Sequence, residues 1–156
     1  NIEYQKTLLL GSTVVANKGT ARQKVAKAVA KLISDNIPEL DGNSLPVLKF
    51  WDEVQDFPFV SVTCANEQRE YLPGGFEWGY CAVMIRLYVK SDDSPLDDTE
   101  VILEKIEAIL RSNLVIEFDT GRCSVDIRIN SIDTDGGLLA PHGVGEISAI
   151  VQYQVN

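Results

Sequence analysis

Three cysteines and a single histidine are the side chains of this sequence best suited to nucleophilic chemistry. A cysteine nucleophile needs an imidazole beside it and a further group that orients the ring. Cys81 and Cys123 fall on strand faces that we predict to lie in the core, where cysteine behaves as a small hydrophobic residue. His142 lies in a glycine-rich loop, which predicts a solvent-exposed side chain. We therefore expect no catalytic residues.

Metal ligands are equally sparse. One histidine and three widely spaced cysteines match neither a zinc site nor a disulfide framework. The acidic run Asp92–Glu100 is interrupted by Pro95 and Leu96, which breaks the ligand spacing of a calcium loop. We interpret this run as the acidic start of a helix. No metal and no cofactor are expected.

The glycines near the C-terminus resemble a phosphate-binding loop only superficially. Gly136 and Gly137 are followed by Gly143 and Gly145, but no helix pattern comes next and no Lys-Ser or Lys-Thr pair ends the run. We expect a flexible connection between two antiparallel strands.

Length and charge limit the classes of function. The 156 residues fit one domain, 1–156, with an irregular segment over 1–19. The net charge of −9 disfavours tight binding to DNA or to anionic membranes, because both rely on Lys and Arg contacts. No stretch is long and apolar enough to span a membrane. The cysteine pattern indicates a reducing compartment.

Hydrophobic periodicity predicts two amphipathic helices. Thr20 is the expected N-cap of the first, which continues through Ile33 and ends before Pro38. The second runs from the acidic segment to about Ser112. We expect its buried side to carry Val101, Ile102, Ile106, Ile109 and Leu110.

The remaining apolar segments alternate as strands do. Their order with the helices predicts an α+β fold, in which an antiparallel or mixed β-sheet carries both helices on one face. The segment 66–76 has turn residues at Pro73-Gly74-Gly75 and is expected to be an extended hairpin connection. The predicted strands are 47–51, 59–65, 78–90, 115–118, 123–132 and 144–155.

The strand 78–90 is unusual because both of its faces are apolar. Its odd positions, from Cys81 to Val89, form one core face. Its even positions are too aromatic for plain solvent, so either a helix of the same chain or another chain covers them. Tyr, Trp, Met and Arg are enriched where protein surfaces meet. The even positions are Trp78, Tyr80, Ala82, Met84, Arg86 and Tyr88.

Several segments together resemble the tail-terminator, or tail-completion, proteins of long-tailed bacteriophages. The similarity covers residues 20–156. It is carried, in matching order, by Tyr71-Leu-Pro-Gly-Gly75, by Ile85-Arg-Leu-Tyr-Val-Lys90 running into an acidic helix start, by Glu104-Lys-Ile-Glu-Ala-Ile-Leu110, and by the segment from Thr134 to Ile147.

This resemblance implies a small α+β domain that assembles as a hexameric ring on the head-proximal end of the tail tube. The ring would stop tube polymerisation and bind the head-tail connector, while DNA passes through without specific binding. The protein would belong to the virion after assembly in the host cytoplasm. The implied subunit or tube interface comprises Tyr71, Leu72, Phe76, Trp78, Tyr80, Met84, Arg86, Tyr88, Leu138 and Leu139.

Two other functions fit the same sequence. A head-tail connector or neck protein can have a similar small α+β fold. A small cytosolic enzyme or ligand-binding domain would need a concave polar pocket, which the sequence does not indicate.

Overall fold

The structure is a computed structural model, and it describes residues 19–156. The expected irregular segment 1–19 lies outside the described residues except for its last position. Within this range two α-helices and six strands follow one another. They are α1 (Ala21–Asn36), β1 (Ser44–Leu45), β2 (Phe59–Leu72), β3 (Phe76–Lys90), α2 (Pro95–Ser112), β4 (Glu117–Asp119), β5 (Arg122–Thr134) and β6 (His142–Gln154).

Helix α1 begins where the sequence predicts. The Thr20 hydroxyl accepts a hydrogen bond from the Gln23 backbone N–H at 3.2 Å, and the Gln23 side chain accepts one from the Thr20 N–H at 2.9 Å. This reciprocal capping box satisfies two donors that a helix N-terminus otherwise leaves unpaired. The buried face of α1 includes Val25, Val29 and Ile33.

Helix α2 begins with Pro95, whose missing N–H costs nothing in the first turn. Asp97 and Asp98 follow there and favour the positive end of the helix dipole. Ile102, Leu103, Ile106 and Leu110 are buried, with Thr99. Val101 is 53% exposed, so its predicted place on the buried side is wrong.

The six strands form one mixed sheet in the order β1-β2-β3-β6-β5-β4, which confirms the predicted α+β fold. All neighbours are antiparallel except β1 and β2. The predicted strand 47–51 is wrong, because this segment is irregular up to a short 3-10 helix at Trp51–Glu53. The segment predicted as a connection, 66–76, is mostly strand, and only 73–75 form the turn of the β2–β3 hairpin.

Both helices pack on the same face of this sheet. On β3 the odd positions Cys81, Val83, Ile85 and Leu87 have no exposed surface, and they share one core with α1 and α2. We call this side the covered face. Neither α1 nor α2 packs on the other side of β3, where the segment before β2, with its short 3-10 helix, covers only the end at Tyr88.

Two glycines let α2 approach β6 closely. A Cβ at Gly143 would lie 2.7 Å from the Pro95 carbonyl oxygen, and one at Gly145 would lie 2.7 Å from Leu103 Cδ1. Such distances are too short for a methyl group. These glycines therefore belong to strand β6 beneath α2, and the prediction of a flexible connection is wrong for them.

The cysteines differ from expectation. Cys64 on β2 and Cys81 on β3 are joined as a disulfide. Cys123 is exposed near the start of β5, so its predicted core position is wrong. Cys81 is fully buried, as predicted.

Candidate interaction surface

The sheet side opposite the helices is a broad surface that we call the open face. Along β3 it presents Trp78, Tyr80, Ala82, Met84 and Arg86, each partly exposed. The cross-strand register sets their neighbours on this side, which are mostly polar. These neighbours are Thr63, Asn66, Gln68 and Glu70 of β2, Glu146, Ser148, Ile150 and Gln152 of β6, and Asp126, Arg128, Ser131 and Asp133 of β5.

An ion pair spans the open face between β3 and β6. Arg86 Nε and a terminal guanidinium nitrogen donate to Glu146 Oε2 at 2.9 and 2.6 Å. The hydrogen bond with Glu146 raises the pKa of Arg86 above its ordinary value, and partial burial opposes this shift. The two side chains are 30% and 27% exposed. Such a pair contributes at most about 1 kcal/mol while it keeps the guanidinium oriented.

Tyr88 differs from the other even positions because it is buried. Its hydroxyl donates to the Lys49 carbonyl oxygen, and its ring packs with Val54 and Phe59. Burial is the main reason why its pKa is raised. Tyr88 therefore lies on the open-face side beneath the segment before β2 and holds that segment against the sheet.

Apolar side chains are also exposed on the segment 47–51, which sequence reasoning assigned to a strand and left out of the site. Leu48 is 60% and Phe50 55% exposed. With Trp51, Tyr88 and Leu139, Phe50 lines a shallow cavity of about 340 Å³ beside the Arg86–Glu146 pair. Pro46 before these residues and the acidic pair after them were the signals for a loop that displays apolar groups.

The β2–β3 hairpin ends in an apolar tip. Tyr71 is 74%, Phe76 54% and Leu72 39% exposed. Gly74 and Gly75 both have positive φ angles, which make the tight turn between them possible.

The base of this hairpin is held by buried charge. The Glu67 carboxylate is 3% exposed and binds Arg69, which also donates to Glu77 at 2.7 Å. The Tyr153 hydroxyl donates to Glu67 as well. Burial, followed by this hydrogen bond, raises the pKa of Tyr153 to about 12. Separating a buried carboxylate from its partners leaves an uncompensated charge, so this cluster holds β2, β3 and β6 together at the base of the hairpin.

The β5–β6 turn projects Leu138, which is 88% exposed, while Leu139 faces the cavity. Asp135 organises this turn by accepting hydrogen bonds from the backbone N–H groups of Leu139 at 3.0 Å and Val144 at 3.2 Å. Burial acts to raise the pKa of Asp135, but these bonds and others together hold it below its ordinary value.

The hairpin tip and the β5–β6 turn lie at opposite ends of the sheet. Trp78 pairs with Gln154 near the tip, and Lys90 pairs with His142 near the turn. At about 3.3 Å per residue, the strand between these two pairs spans roughly 40 Å. The structure therefore does not bring the predicted site residues into one cluster. It arranges them along one face and at its two ends.

His142 is not the exposed loop histidine that the sequence predicts. It is the first residue of β6, it is half-buried, and its ring lies 5.0 Å from Trp51 and 5.4 Å from Phe57 between centroids. Within residues 19–156, no three His, Cys, Asp or Glu side chains are grouped as metal ligands are. No helix in that range is long and apolar enough to cross a membrane.

Comparison with known proteins identifies relatives of this chain. The family described as bacteriophage tail tube terminator protein matches residues 16–156. The tail tube terminator protein p142 of Escherichia phage T5 is 30% identical, over 85% of this chain and 90% of that protein.

A solved structure shares the fold. One chain in the virion of a native gene transfer agent particle superposes with a TM-score of 0.58, covering 81% of this chain and 92% of that one. Because the two sequences are only 9% identical, this likeness concerns the fold alone.

Proposed function

Because this chain belongs to the bacteriophage tail tube terminator proteins, structural components of the virion tail, we propose that it acts as a ring on the head-proximal end of the tube. The ring, which we expect to be a hexamer, blocks addition of further tube subunits and offers its other side to the head-tail connector. Assembly takes place in the host cytoplasm. DNA passes through the ring without specific binding, and the role requires no catalytic group.

The observation that carries this proposal is the apolar, partly exposed surface described above. An open face with Trp78, Tyr80 and Met84, together with exposed apolar tips, has the residue types that are enriched in protein interfaces. Large exposed apolar patches on a soluble domain mark interaction sites. A contact surface of this kind acts through shape complementarity, so it needs no reactive side chain.

The two ends of the sheet suit two different partners. Tyr71, Leu72 and Phe76 project at one end, and Leu138 projects at the other, with Leu139 behind it. We place the tube and the connector at these opposite ends. The open-face residues Trp78, Tyr80, Met84 and Arg86 lie at or near the contact with a neighbouring copy or the tube, and Tyr88 beside them holds the segment before β2 in place.

The decisive experiment is electron microscopy of tails assembled in infected cells in which this gene is disabled. Overlong tubes without heads are the expected result. Tails of normal length that fail to join filled heads would instead indicate a joining protein. Normal, complete virions would contradict both structural roles.

A double variant tests the hairpin tip. Tyr71→Ser with Phe76→Ser removes apolar area that is already exposed, so the domain is expected to fold normally and to lose control of tube length. Val101→Ser is the control, because Val101 is an apolar residue on α2 that is as exposed as Phe76. Normal tube length with the double variant would exclude the tip from the contact with the tube.

A second double variant tests the open face. Trp78→Ala with Met84→Ala is expected to reduce the fraction of copies found in rings or on tubes. Sedimentation of the purified protein, with and without tubes, measures that fraction. An unchanged fraction would remove these residues from the proposed surface.

A further inference from the structure

Two long strand edges have no partner within residues 19–156. The short strand β1 pairs only with Val60 and Ser61 of β2, and β4 pairs only with Arg122 and Cys123 of β5. The outer edge of β2 over 63–72 and that of β5 over 125–134 thus remain unpaired in the described chain. Such edges present rows of backbone donors and acceptors to any chain that can add a strand.

The backbone register identifies the outward-facing groups. On β2 the Val60 N–H points outward to Asn43 O at 2.8 Å, and on β5 the Ser124 N–H points outward to Ile116 O at 2.9 Å. In antiparallel strands this direction alternates, and each bulge shifts the alternation by one residue. Counting from these two bonds through the observed register, the outward residues beyond β1 and β4 are Cys64, Glu67, Arg69 and Tyr71 on β2, and Ile127, Ile129, Ile132 and Thr134 on β5.

Neither edge carries Lys or Pro, two of the residue types that prevent strand addition, within 63–72 or 125–134. Both edges do contain β-bulges and charged residues, which limit the strands that can pair with them. The unpaired stretches are similar in length, and through the observed register residues 63–68 lie level with 126–131.

The directions of the two edges are compatible with a ring. The strands β2, β3, β6 and β5 are each antiparallel to the next, so β2 and β5 run in opposite directions. Rotation about an axis that follows the strands keeps every strand direction. The β5 edge of one copy therefore meets the β2 edge of the next in antiparallel orientation. Each contact is heterologous and uses both edges of every copy once, so the series can close.

We infer that neighbouring copies join by antiparallel pairing between the β2 edge (63–72) of one copy and the β5 edge (125–134) of the next. This inference rests on the proposed ring. The sheets then become continuous, and the hairpin tip and the β5–β6 turn fall on opposite rims. Since β3 is one strand inward from β2, at about 4.8 Å spacing, the open-face residues lie near the joint rather than in it.

Proline substitution on the β5 edge tests the backbone bonds directly. A proline at an outward residue removes no hydrogen bond within the sheet and is tolerated on edge strands, but it removes a donor to the neighbour. Ile132→Pro and Thr134→Pro are expected to give folded protein that no longer forms rings. Ile132→Ala and Thr134→Ala keep the N–H and are expected to form rings. Circular dichroism measures folding, and mass photometry, with and without tubes, measures rings.

The outcomes separate this inference from the proposed function. Rings formed by the folded proline variants would overturn edge pairing and leave the ring intact. A wild-type chain that never forms rings, even on tubes, would overturn both.

Cross-linking gives a second test that does not depend on the folding of proline variants. In a Cys123→Ser background, a chain with Gln68→Cys is mixed with chains carrying Asp126→Cys, Arg128→Cys or Ser131→Cys. Directly opposed residues approach closely enough for a disulfide, so one of these mixtures is expected to cross-link under oxidation. Cross-linking of one variant with itself would indicate pairing of like edges, and absence of cross-links in every mixture would equally overturn the inference.

Discussion

The two faces of β3 share one backbone but differ in their exposure to solvent. On the covered face Val83, Ile85 and Leu87 have no exposed surface, whereas on the open face Trp78, Met84 and Arg86 stay partly exposed. Both faces contain apolar residues, so hydrophobicity alone does not distinguish them. The covered face holds aliphatic side chains that pack against helices. The open face holds aromatic residues, Met and Arg, the types enriched in interfaces between proteins.

This difference indicates that the two faces of β3 contribute to different properties of the protein. The covered face contributes to folding, because each fully buried aliphatic side chain stabilises the domain by about 1.5–3 kcal/mol. The open face contributes less to the isolated domain and keeps its apolar area for a partner. Substitutions on the two faces should therefore affect different measurements.

The largest expected effect comes from Ile85→Ala on the covered face. Loss of a fully buried isoleucine side chain leaves a cavity and should lower the free energy of unfolding by about 2–5 kcal/mol. Met84→Ala, one residue away on the open face, should lower it by less than about 1 kcal/mol, because less area is removed from a partly exposed site. Urea unfolding of both variants measures the contrast. Equal losses would mean that the two faces do not differ in their contribution to folding.

A smaller effect is expected where α2 meets β6. Gly143→Ala places a methyl group 2.7 Å from the Pro95 carbonyl oxygen and should destabilise the domain by about 1–3 kcal/mol through overpacking. Ser148→Ala on the open face of the same strand is the control and should change stability by less than about 0.5 kcal/mol. Thermal unfolding compares the two, and an unchanged midpoint for Gly143→Ala would show that α2 does not press on this strand.

The smallest effect concerns Asp135 at the end of the open face. Because hydrogen bonds hold its pKa below the ordinary value, its ionised form stabilises the fold above about pH 4, and this contribution is lost as pH falls through the lowered pKa. Asp135→Asn should therefore cost about 1 kcal/mol at pH 7, and the difference from the wild type should shrink at lower pH. Urea unfolding at several pH values tests this, and a difference that grows on acidification would contradict it.

The spacing of apolar residues and of capping residues was sufficient to predict the helices and strands whose hydrophobic pattern is regular. The N-cap at Thr20, the core face from Cys81 to Val89 and the alternation of β6 are all observed. Each depends on neighbouring residues along the chain, so the sequence contains the whole signal. The candidate surface was predictable in part, because Trp78, Tyr80 and Met84 stand out on an otherwise polar side of the sheet.

The incorrect predictions from the sequence share a physical cause. The segment 47–51 is apolar like a strand, but it displays Leu48 and Phe50 to solvent, and the polar residues 66–72 form a long strand because β3 offers them a partner. Strand formation depends on a distant pairing partner that local composition does not reveal. His142 and Cys123 were misplaced for the same reason, since their burial is decided by remote neighbours.

The sequence by itself determined the α+β class, the caps and periodic faces of its helices and strands, and the resemblance to tail-terminator proteins. Helix and strand propensities and the spacing of apolar residues are properties of the chain itself, so they can be recognised without knowledge of the fold. Only the tertiary structure decided that both helices cover one side of β3, that the apolar tips lie at opposite ends of the sheet, and that two antiparallel edges remain unpaired within residues 19–156. Those features depend on which distant segments pack together, and packing is a relation between segments that no single segment encodes.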